Sequence, residues 1–342
     1  MSRLSLKLLL AFFFIALSVI LNSKYTDADR IKIGYIVKRP SERWFKYELV
    51  GAQKAAAELD ADLYVIGGRD NEQTLNVVNS LIGDGVDGII ICSPDAKLGN
   101  AIQRLTNSFG VRLFSVDDQL QNTDGTYIAD IPHLGISEVK VAAEISNYLL
   151  GEMINRGWDF KNTALLTLSN KSLKTSEFRV EEVAKRILSQ GCRESNIFMA
   201  EQADIDQRDA YRATAEVINK NYQIKNWLVC GFNDQSAIGA AHALESIGID
   251  ATRAIVVGVN GLDATRVFFK GEKNALAASV LLNPYKHGYS SVSMMYDWIK
   301  NDVKPALLTL TEGVIVDRFN YQEQIDNLYR KQERATYLKG DQ

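Results

Sequence analysis

Short apolar runs alternate with stretches whose apolar residues recur at helical spacing, and this alternation leaves few folds open to the 342-residue chain. "IKIGYIV", from Ile31, reads as a buried strand, and Phe45, Leu49, Ala52, Ala56 and Leu59 then follow a helical period. "DLYVIG" is a second strand, followed by a helix from Asn71 to Ile82 with Asn71 as its cap. "GIIICS", a helix beginning near Leu98, and "RLFSV" continue the series. A longer helical pattern runs from about Ser137 to Arg156, and the alternation then starts again. "ALLTLS", "NIFMAE", "WLVCGF", "AIVVGV" and "LAASVLL" read as strands, with helices from Thr175, Arg208 and Asp234 and a short one before the last strand. Strands this uniformly apolar, separated by helices, belong to parallel sheets covered on both faces. The expected fold is therefore α/β, with two doubly wound parallel-sheet lobes and a break near residue 137.

In such sheets ligands bind beyond the carboxyl ends of the strands. The residues after each apolar run are Lys38 and Glu42, then Cys92-Ser93, then Asp117-Asp118. In the second half they are Ser169-Asn170, Asn233-Asp234, Asn260 with Asp263, and Asn283. Asn and Asp also serve as turn and cap residues, which accounts for Asp234 and Asp263 as helix starts. Capping accounts poorly for Asp117-Asp118 and Lys38. "YIVKRPSERWF", residues 35–45, adds Trp44 and Phe45 directly after the first strand end, so the segment serves either as a lead into a helix or as one wall of a site.

Composition removes several alternatives. Apolar residues make up 46% and charged residues 24%, as in an ordinary folded domain pair. The balance of 39 basic and 42 acidic residues argues against a nucleic-acid-binding surface. Cys92, Cys192 and Cys230 do not make a disulfide framework, and Cys92 and Cys230 sit in apolar runs as small buried side chains. No HExxH or CxxC spacing, GxGxxG, P-loop or GxSxG occurs, so metal, cofactor and nucleophile signatures are lacking. "DIDQRDA", from Asp204, has Arg208 at a ligand position of a calcium loop and reads as a solvated loop and helix start. Asp117 and Asp118 point to opposite faces if extended, which does not suit a glycosidase pair. A neutral polyol suits the set better, because each sugar hydroxyl both donates and accepts. Asp accepts, Asn does both, and Lys and Arg donate.

The N-terminus carries an address. Arg3 and Lys7 precede an apolar stretch from Leu8 to Leu21, about 14 residues, which has the length of a signal-peptide core and falls short of a bilayer span. Residues 1–23 are read as a signal peptide, with an uncleaved anchor as the alternative. Either form puts the folded part outside the cytoplasm.

The segments "GYIVKRPSERWF", "IICSPDAKLGNAI", "VDDQLQN", "RGWD", "NWLVCGFNDQSAIG", "GVNGLDA" and "HGY" stand in the order and at the spacing of one family. Through them the chain resembles the periplasmic sugar-binding family of bacterial ABC importers, of the ribose and galactose type, and its arabinose-binding members in particular. The likeness runs from about Ile31 to about Asp326. It implies two lobes of the type I periplasmic-binding fold, 30–136 with 283–312 and 137–282 with 313–334, crossed by the chain near residues 136, 282 and 312. It implies a monosaccharide in the cleft between them, L-arabinose or a relative such as galactose or fucose. Lys38, Glu42, Asp117 and Asp118 would contact the sugar from the first lobe, Glu42 partly through water. Trp44 and Phe45 would supply the aromatic surface, and Cys92 would lie beside the sugar. Arg179 would donate to the ring oxygen and a hydroxyl. Asn233 and Asn260 would hold the other hydroxyls, with Leu173, Thr175 and Asp263 lining or bracing the pocket. Ile136 and Phe232 stand where the family usually has methionines, and Leu282 where it has a proline, which bears on the choice of epimer.

The same resemblance implies a monomeric, periplasmic protein with no cofactor and no catalysis, whose partner is a membrane permease. A sensory role, in which sugar occupancy is passed to a chemoreceptor or sensor kinase, is the alternative. A sugar-responsive repressor of this fold needs a basic helix-turn-helix ahead of the lobes, where this chain has Leu8–Leu21.

Overall fold

The computed structural model describes residues 30–170, 173–272 and 274–328. The leader read into residues 1–23 lies outside them, as do residues 329–334 of the expected second lobe. The strands in chain order are β1 (Lys32–Val37), β2 (Asp62–Gly67), β3 (Gly88–Ile91), β4 (Arg112–Val116), β5 (His133–Ile136), β6 (Thr163–Ser169), β7 (Ile197–Glu201), β8 (Asn226–Gly231), β9 (Ala254–Asn260), β10 (Leu276–Leu281), β11 (Leu308–Thr311) and β12 (Val314–Asp317). The α-helices are α1 (Arg43–Glu58), α2 (Asn71–Gly83), α3 (Gly99–Ser108), α4 (Glu138–Asn155), α5 (Lys174–Ser189), α6 (Gln207–Lys220), α7 (Asp234–Ser246), α8 (Ala264–Phe269), α9 (Pro284–Asn301) and α10 (Tyr321–Leu328).

Two six-stranded sheets form, ordered β11-β5-β4-β3-β1-β2 and β12-β10-β9-β8-β6-β7. β1 pairs in parallel with β2 and β3, and β3 with β4. In the second sheet β6 pairs in parallel with β7 and β8, β8 with β9, and β9 with β10, while β12 runs antiparallel to β10. The order reverses direction between β1 and β3 in the first sheet and between β6 and β8 in the second. These are the points where a doubly wound sheet opens a crevice at its carboxyl edge.

The chain forms two compact units. The first holds the described residues up to Pro40, Glu48–His133 and His287–Leu308. The second holds Ser41–Tyr47, Leu134–Lys286 and the described residues from Thr309. Ser41–Tyr47 falls in the second unit, whereas the sequence reading keeps 30–136 whole. The reason is local, because Arg43 Nη1 donates to Leu262 O at 3.0 Å and to Asp263 Oδ1 at 2.9 Å.

Burial explains the uniformly apolar strands. Ile33, Tyr35, Ile36 and Val37 of β1 and Ile89, Ile90 and Ile91 of β3 are fully enclosed, and Ile36, Ile89 and Ile91 share one core with Val78, Leu81 and Ile102. Gly34 has no Cβ because one would stand 2.7 Å from Leu81 Cδ1. Trp227, Leu228, Val229 and Cys230 of β8 and Ile255, Val256 and Val257 of β9 are equally enclosed in the second unit. Apolar burial on this scale, at about 25 cal/mol per Å², is the main term that holds each unit together.

Two helix starts differ from the sequence reading. Asp70, not Asn71, caps α2, with its side chain accepting from Gln73 N, and Asn71 is the first helical residue. Asn233 caps α7, and Asp234 follows it inside the helix. In "DIDQRDA" Asp206 caps α6 by accepting from Asp209 N at 2.7 Å.

Candidate functional site

In the first unit four of the singled-out residues come together at the carboxyl edge of the sheet. Lys38 follows β1, Cys92 follows β3, and Asp117-Asp118 follow β4, so three adjacent strands aim their ends at one place. Lys38 Nζ donates to Asp118 Oδ2. Cys92 Sγ, with no exposed surface, lies 3.7 Å from the same oxygen. Asp117 Oδ1 is 2.8 Å from His287 Nδ1 on α9. Asp117 has a φ of 61°, a left-handed conformation that Asp tolerates better than most residues and that costs of order 1 kcal/mol. It turns the backbone so that neighbouring carboxylates serve one cluster instead of facing opposite sides of a strand.

The charges in this cluster follow from burial. Burial is the largest influence on the Lys38 ammonium and lowers it, but Asp118, Cys92 and Asp117 together outweigh it and the net shift is upward. Burial pushes the Cys92 thiol well above its ordinary range, and the nearby carboxylates add to this against Lys38. A neutral thiol is a packing group and a weak donor, not a nucleophile. His133 on β5, 2.9 Å from Ser115 Oγ through Nδ1, is lowered to about 4 by burial and stays uncharged.

In the second unit Arg179 on α5 is buried, not a surface residue of its helix. Its Nε and Nη2 donate to Glu138 Oε2 and Oε1 at 2.5 and 2.8 Å, and Nη1 donates to the Phe232 carbonyl. The bidentate fork fixes the guanidinium plane. Asn233 Oδ1 accepts from Ser236 N at 2.8 Å, so its cap role occupies that oxygen. Asn260 ends β9 with a φ of 99°, and its carbonyl accepts from Leu282 N at 3.2 Å. Asp263 accepts from Gln235 Nε2 at 2.6 Å as well as from Arg43, and it therefore braces its surroundings.

Asp234 is not a cap for its own helix. It is buried and accepts from Ser279 Oγ at 2.6 Å and from the backbone of Asp263 and Ala264 at 2.9 and 3.1 Å, holding the start of α8. Burial, with the Asp263 charge adding to it, raises its carboxyl to about 7 against those three donors.

Other sequence candidates sit at the same strand and helix ends. Ile136 ends β5 half-buried, and Leu173 and Thr175 are half-buried at the start of α5. Phe232 and Leu282 are buried. Glu42 is exposed immediately before α1. Trp44 and Phe45 are both buried in its first turn, at 9% and 2% exposure, so Phe45 is a core side chain and Trp44 keeps the larger open edge. Sequence reasoning missed the partners Glu138, Glu48 and Tyr35. Glu48 carried a signal, because it lies three residues after Phe45 and four before Ala52, on the apolar face of its helix.

The arrangement offers clustered, largely half-buried donors and acceptors at fixed positions. It suits a ligand with several hydroxyls and offers no ionised nucleophile among the cysteines of these clusters.

Residues 30–324 match the family of periplasmic binding proteins and sugar binding domain of LacI family. The chain is 32% identical over 305 residues to the L-arabinose-binding periplasmic protein of Escherichia coli (strain K12), covering 89% of this chain and 93% of that one. It is 31% identical over 321 residues to the ABC transporter L-arabinose-binding periplasmic protein of Azospirillum brasilense, covering 94% and 96%. Among solved structures, a periplasmic ribose ABC transporter protein from Conexibacter woesei superposes with a TM-score of 0.74 at 16% identity, covering 90% of this chain and 98% of that chain. The periplasmic binding component of the arabinose ABC transporter from Shewanella sp. ANA-3, bound to alpha and beta-L-arabinofuranose, gives 0.73 at 15% identity, covering 91% and 99%. At such identities the structural likeness speaks for the fold alone.

Proposed function

This chain belongs to the family of periplasmic binding proteins and LacI-type sugar-binding domains, and from that premise we propose that it is the extracytoplasmic substrate-binding protein of an ABC-type sugar importer. Its ligand is L-arabinose or a related monosaccharide such as galactose or fucose. The family is one of ligand capture and not of catalysis. The observation that carries the reading is the set of buried Cys92 and half-buried Lys38, Asp117 and Asp118 at the switch point of the first sheet.

In this reading Asp118 takes the anomeric hydroxyl and Lys38 its neighbour, the two sharing one charge-paired contact. Asp117 holds a further hydroxyl, and Glu42 reaches the sugar through water. Trp44 covers the apolar face of the ring, with Phe45 supporting it from the core. In the second unit Arg179, held by Glu138, donates to the ring oxygen, while Asn233 and Asn260 hold hydroxyls. Leu173, Thr175, Asp263, Ile136 and Phe232 shape and brace the pocket. A hydrogen bond to a charged group is worth roughly 1.5–3 kcal/mol where water is excluded. A handful of them, less the ordering cost, gives micromolar binding or tighter, about −8 kcal/mol or more. The bound sugar is then handed to a membrane permease by a monomeric protein in the periplasm.

A thermal-shift panel of free pentoses and hexoses tests the assignment. L-arabinose, galactose or fucose is expected to raise the melting temperature. The proposal fails if none of the panel does.

A further inference from the structure

Glu48 is a charged residue type with no exposed surface, placed in the core side of α1. Its Oε1 accepts from the Tyr35 hydroxyl at 2.5 Å, and Ser291 Oγ on α9 lies 3.2 Å from that hydroxyl. Its Oε2 is buried with no hydrogen-bond partner among the described residues, and the Asp117 carboxyl is the charged group that acts most strongly on the Glu48 side chain. From the other side His287 Nδ1 meets Asp117 Oδ1 at 2.8 Å. The packing that seals the pair is close. A Cβ at Gly288 would stand 1.8 Å from Glu48 O, so α9 presses its backbone directly on α1.

We propose that Glu48 is a positioning residue for ligand binding: its carboxyl, anchored by Tyr35, fixes the Asp117 carboxylate in the orientation that receives a sugar hydroxyl. The inference rests on the reading of Asp117 as a ligand residue given above. Two carboxyl groups in contact away from water cannot both be charged at low cost, so one proton is shared. Burial first, and the Asp117 charge next, hold the Glu48 carboxyl well above the ordinary carboxylate range, so Glu48 carries that proton and donates it to Asp117. Tyr35, raised still further by burial, stays protonated and donates to Glu48. Asp117 is then gripped by Glu48 and His287. The other titratable groups facing this cluster are Lys38 after β1, Cys92 after β3, Asp118 beside Asp117, and His133 on β5. Ionisation of Glu48 as pH rises would set two carboxylates against each other and turn Asp117 away.

The test has a ligand-free and a ligand-bound arm, using wild type, Glu48→Gln and Glu48→Ala. In the ligand-free arm the imidazole nitrogen resonances of His287 report where Asp117 stands, and the chain has only three histidines to assign. Glu48→Ala is expected to shift them. Glu48→Gln, whose amide accepts from Tyr35 and donates to Asp117, restores them. In the ligand-bound arm calorimetric titration with L-arabinose is expected to show a roughly tenfold or larger loss for Glu48→Ala. Glu48→Gln should rescue most of it. Wild-type affinity should fall as rising pH ionises Glu48, and the Glu48→Gln profile should stay flat. Unchanged His287 resonances in Glu48→Ala, or parallel pH profiles of wild type and Glu48→Gln, overturn the proposal. A wild type that binds no monosaccharide overturns the sugar assignment instead, and the resonances still decide whether Glu48 positions Asp117. Should Glu48→Ala fail to fold, the pH profile of Glu48→Gln carries the decision.

Discussion

Gly288→Ala is the substitution for which the structure states the consequence most directly. The added Cβ would lie 1.8 Å from Glu48 O, 2.7 Å from Glu48 C and 2.9 Å from Ala52 N. All three neighbours are α1 backbone, so no side chain can swing aside. Bringing the first contact even to 3.0 Å requires a displacement of 1.2 Å, the difference between the two distances. Overpacking of a well-filled core costs typically 1–3 kcal/mol, and backbone against backbone belongs at the upper end, about 3 kcal/mol. In a unit of this size that lowers Tm by roughly 6–12 °C. The same displacement would carry His287 away from Asp117, now 2.8 Å distant, and beyond hydrogen-bonding reach. Sugar affinity should fall with stability. Calorimetric melting and L-arabinose titration measure both effects. Gly151→Ala is the control, because nothing lies within 4 Å of its added Cβ and it sits inside α4, so stability should hold or rise by up to about 1 kcal/mol. A Gly288→Ala protein that melts with the wild type and binds sugar equally well would refute the packing argument.

Arg179→Ala should cost stability as well as binding, about 2–3 kcal/mol in urea unfolding, because it leaves the half-buried Glu138 carboxylate without its fork. An unchanged unfolding midpoint would count against that pairing. Asp234 holds its proton up to about 7 in the fold but only to about 3.8 when unfolded, so its contribution weakens as pH rises from about 4 to 7, by up to about 4 kcal/mol. Asp234→Asn, which keeps an acceptor for α8 and can donate to Ser279, should flatten that decline in pH-dependent unfolding. His133 has the opposite sign: lowered to about 4 from 6.5, it contributes stability that is lost as pH falls through that window. His133→Gln should remove this acid sensitivity, and an unchanged acid limb of the stability curve would contradict it.

Much of this was legible before any coordinates. The strand-end positions of Lys38, Cys92 and Asp117-Asp118 follow from the apolar runs alone, since a parallel sheet brings its carboxyl ends to one edge. What the runs do not encode is partner choice across long separations. Arg179 and Glu138 are 41 residues apart, and His287 and Asp117 are 170 apart, so nothing local marks either pair. Nothing in the helical pattern around Arg179 therefore marks it as buried. The helix starts were misplaced for a local reason. Asp70-Asn71 and Asn233-Asp234 each offer two capping side chains in succession, and only backbone geometry decides between them. Asp234, freed from capping its own helix, instead anchors α8 through Ser279, Asp263 and Ala264. Glu48 is hard to single out from sequence because a glutamate beside an apolar helix face is ordinarily solvated, and only its partners Tyr35 and Asp117 make it a core residue.

The polar cluster at the first sheet's carboxyl edge is proposed to bind a monosaccharide. Calorimetric titration of the purified protein with L-arabinose, galactose and fucose, beside a Lys38→Met variant, tests it most directly. Saturable one-to-one binding at micromolar affinity or tighter is expected for at least one of these sugars, with a loss of about a hundredfold when the Lys38–Asp118 pair is broken. No saturable heat with any of the three, or a Lys38→Met protein that binds as the wild type does, would contradict the account.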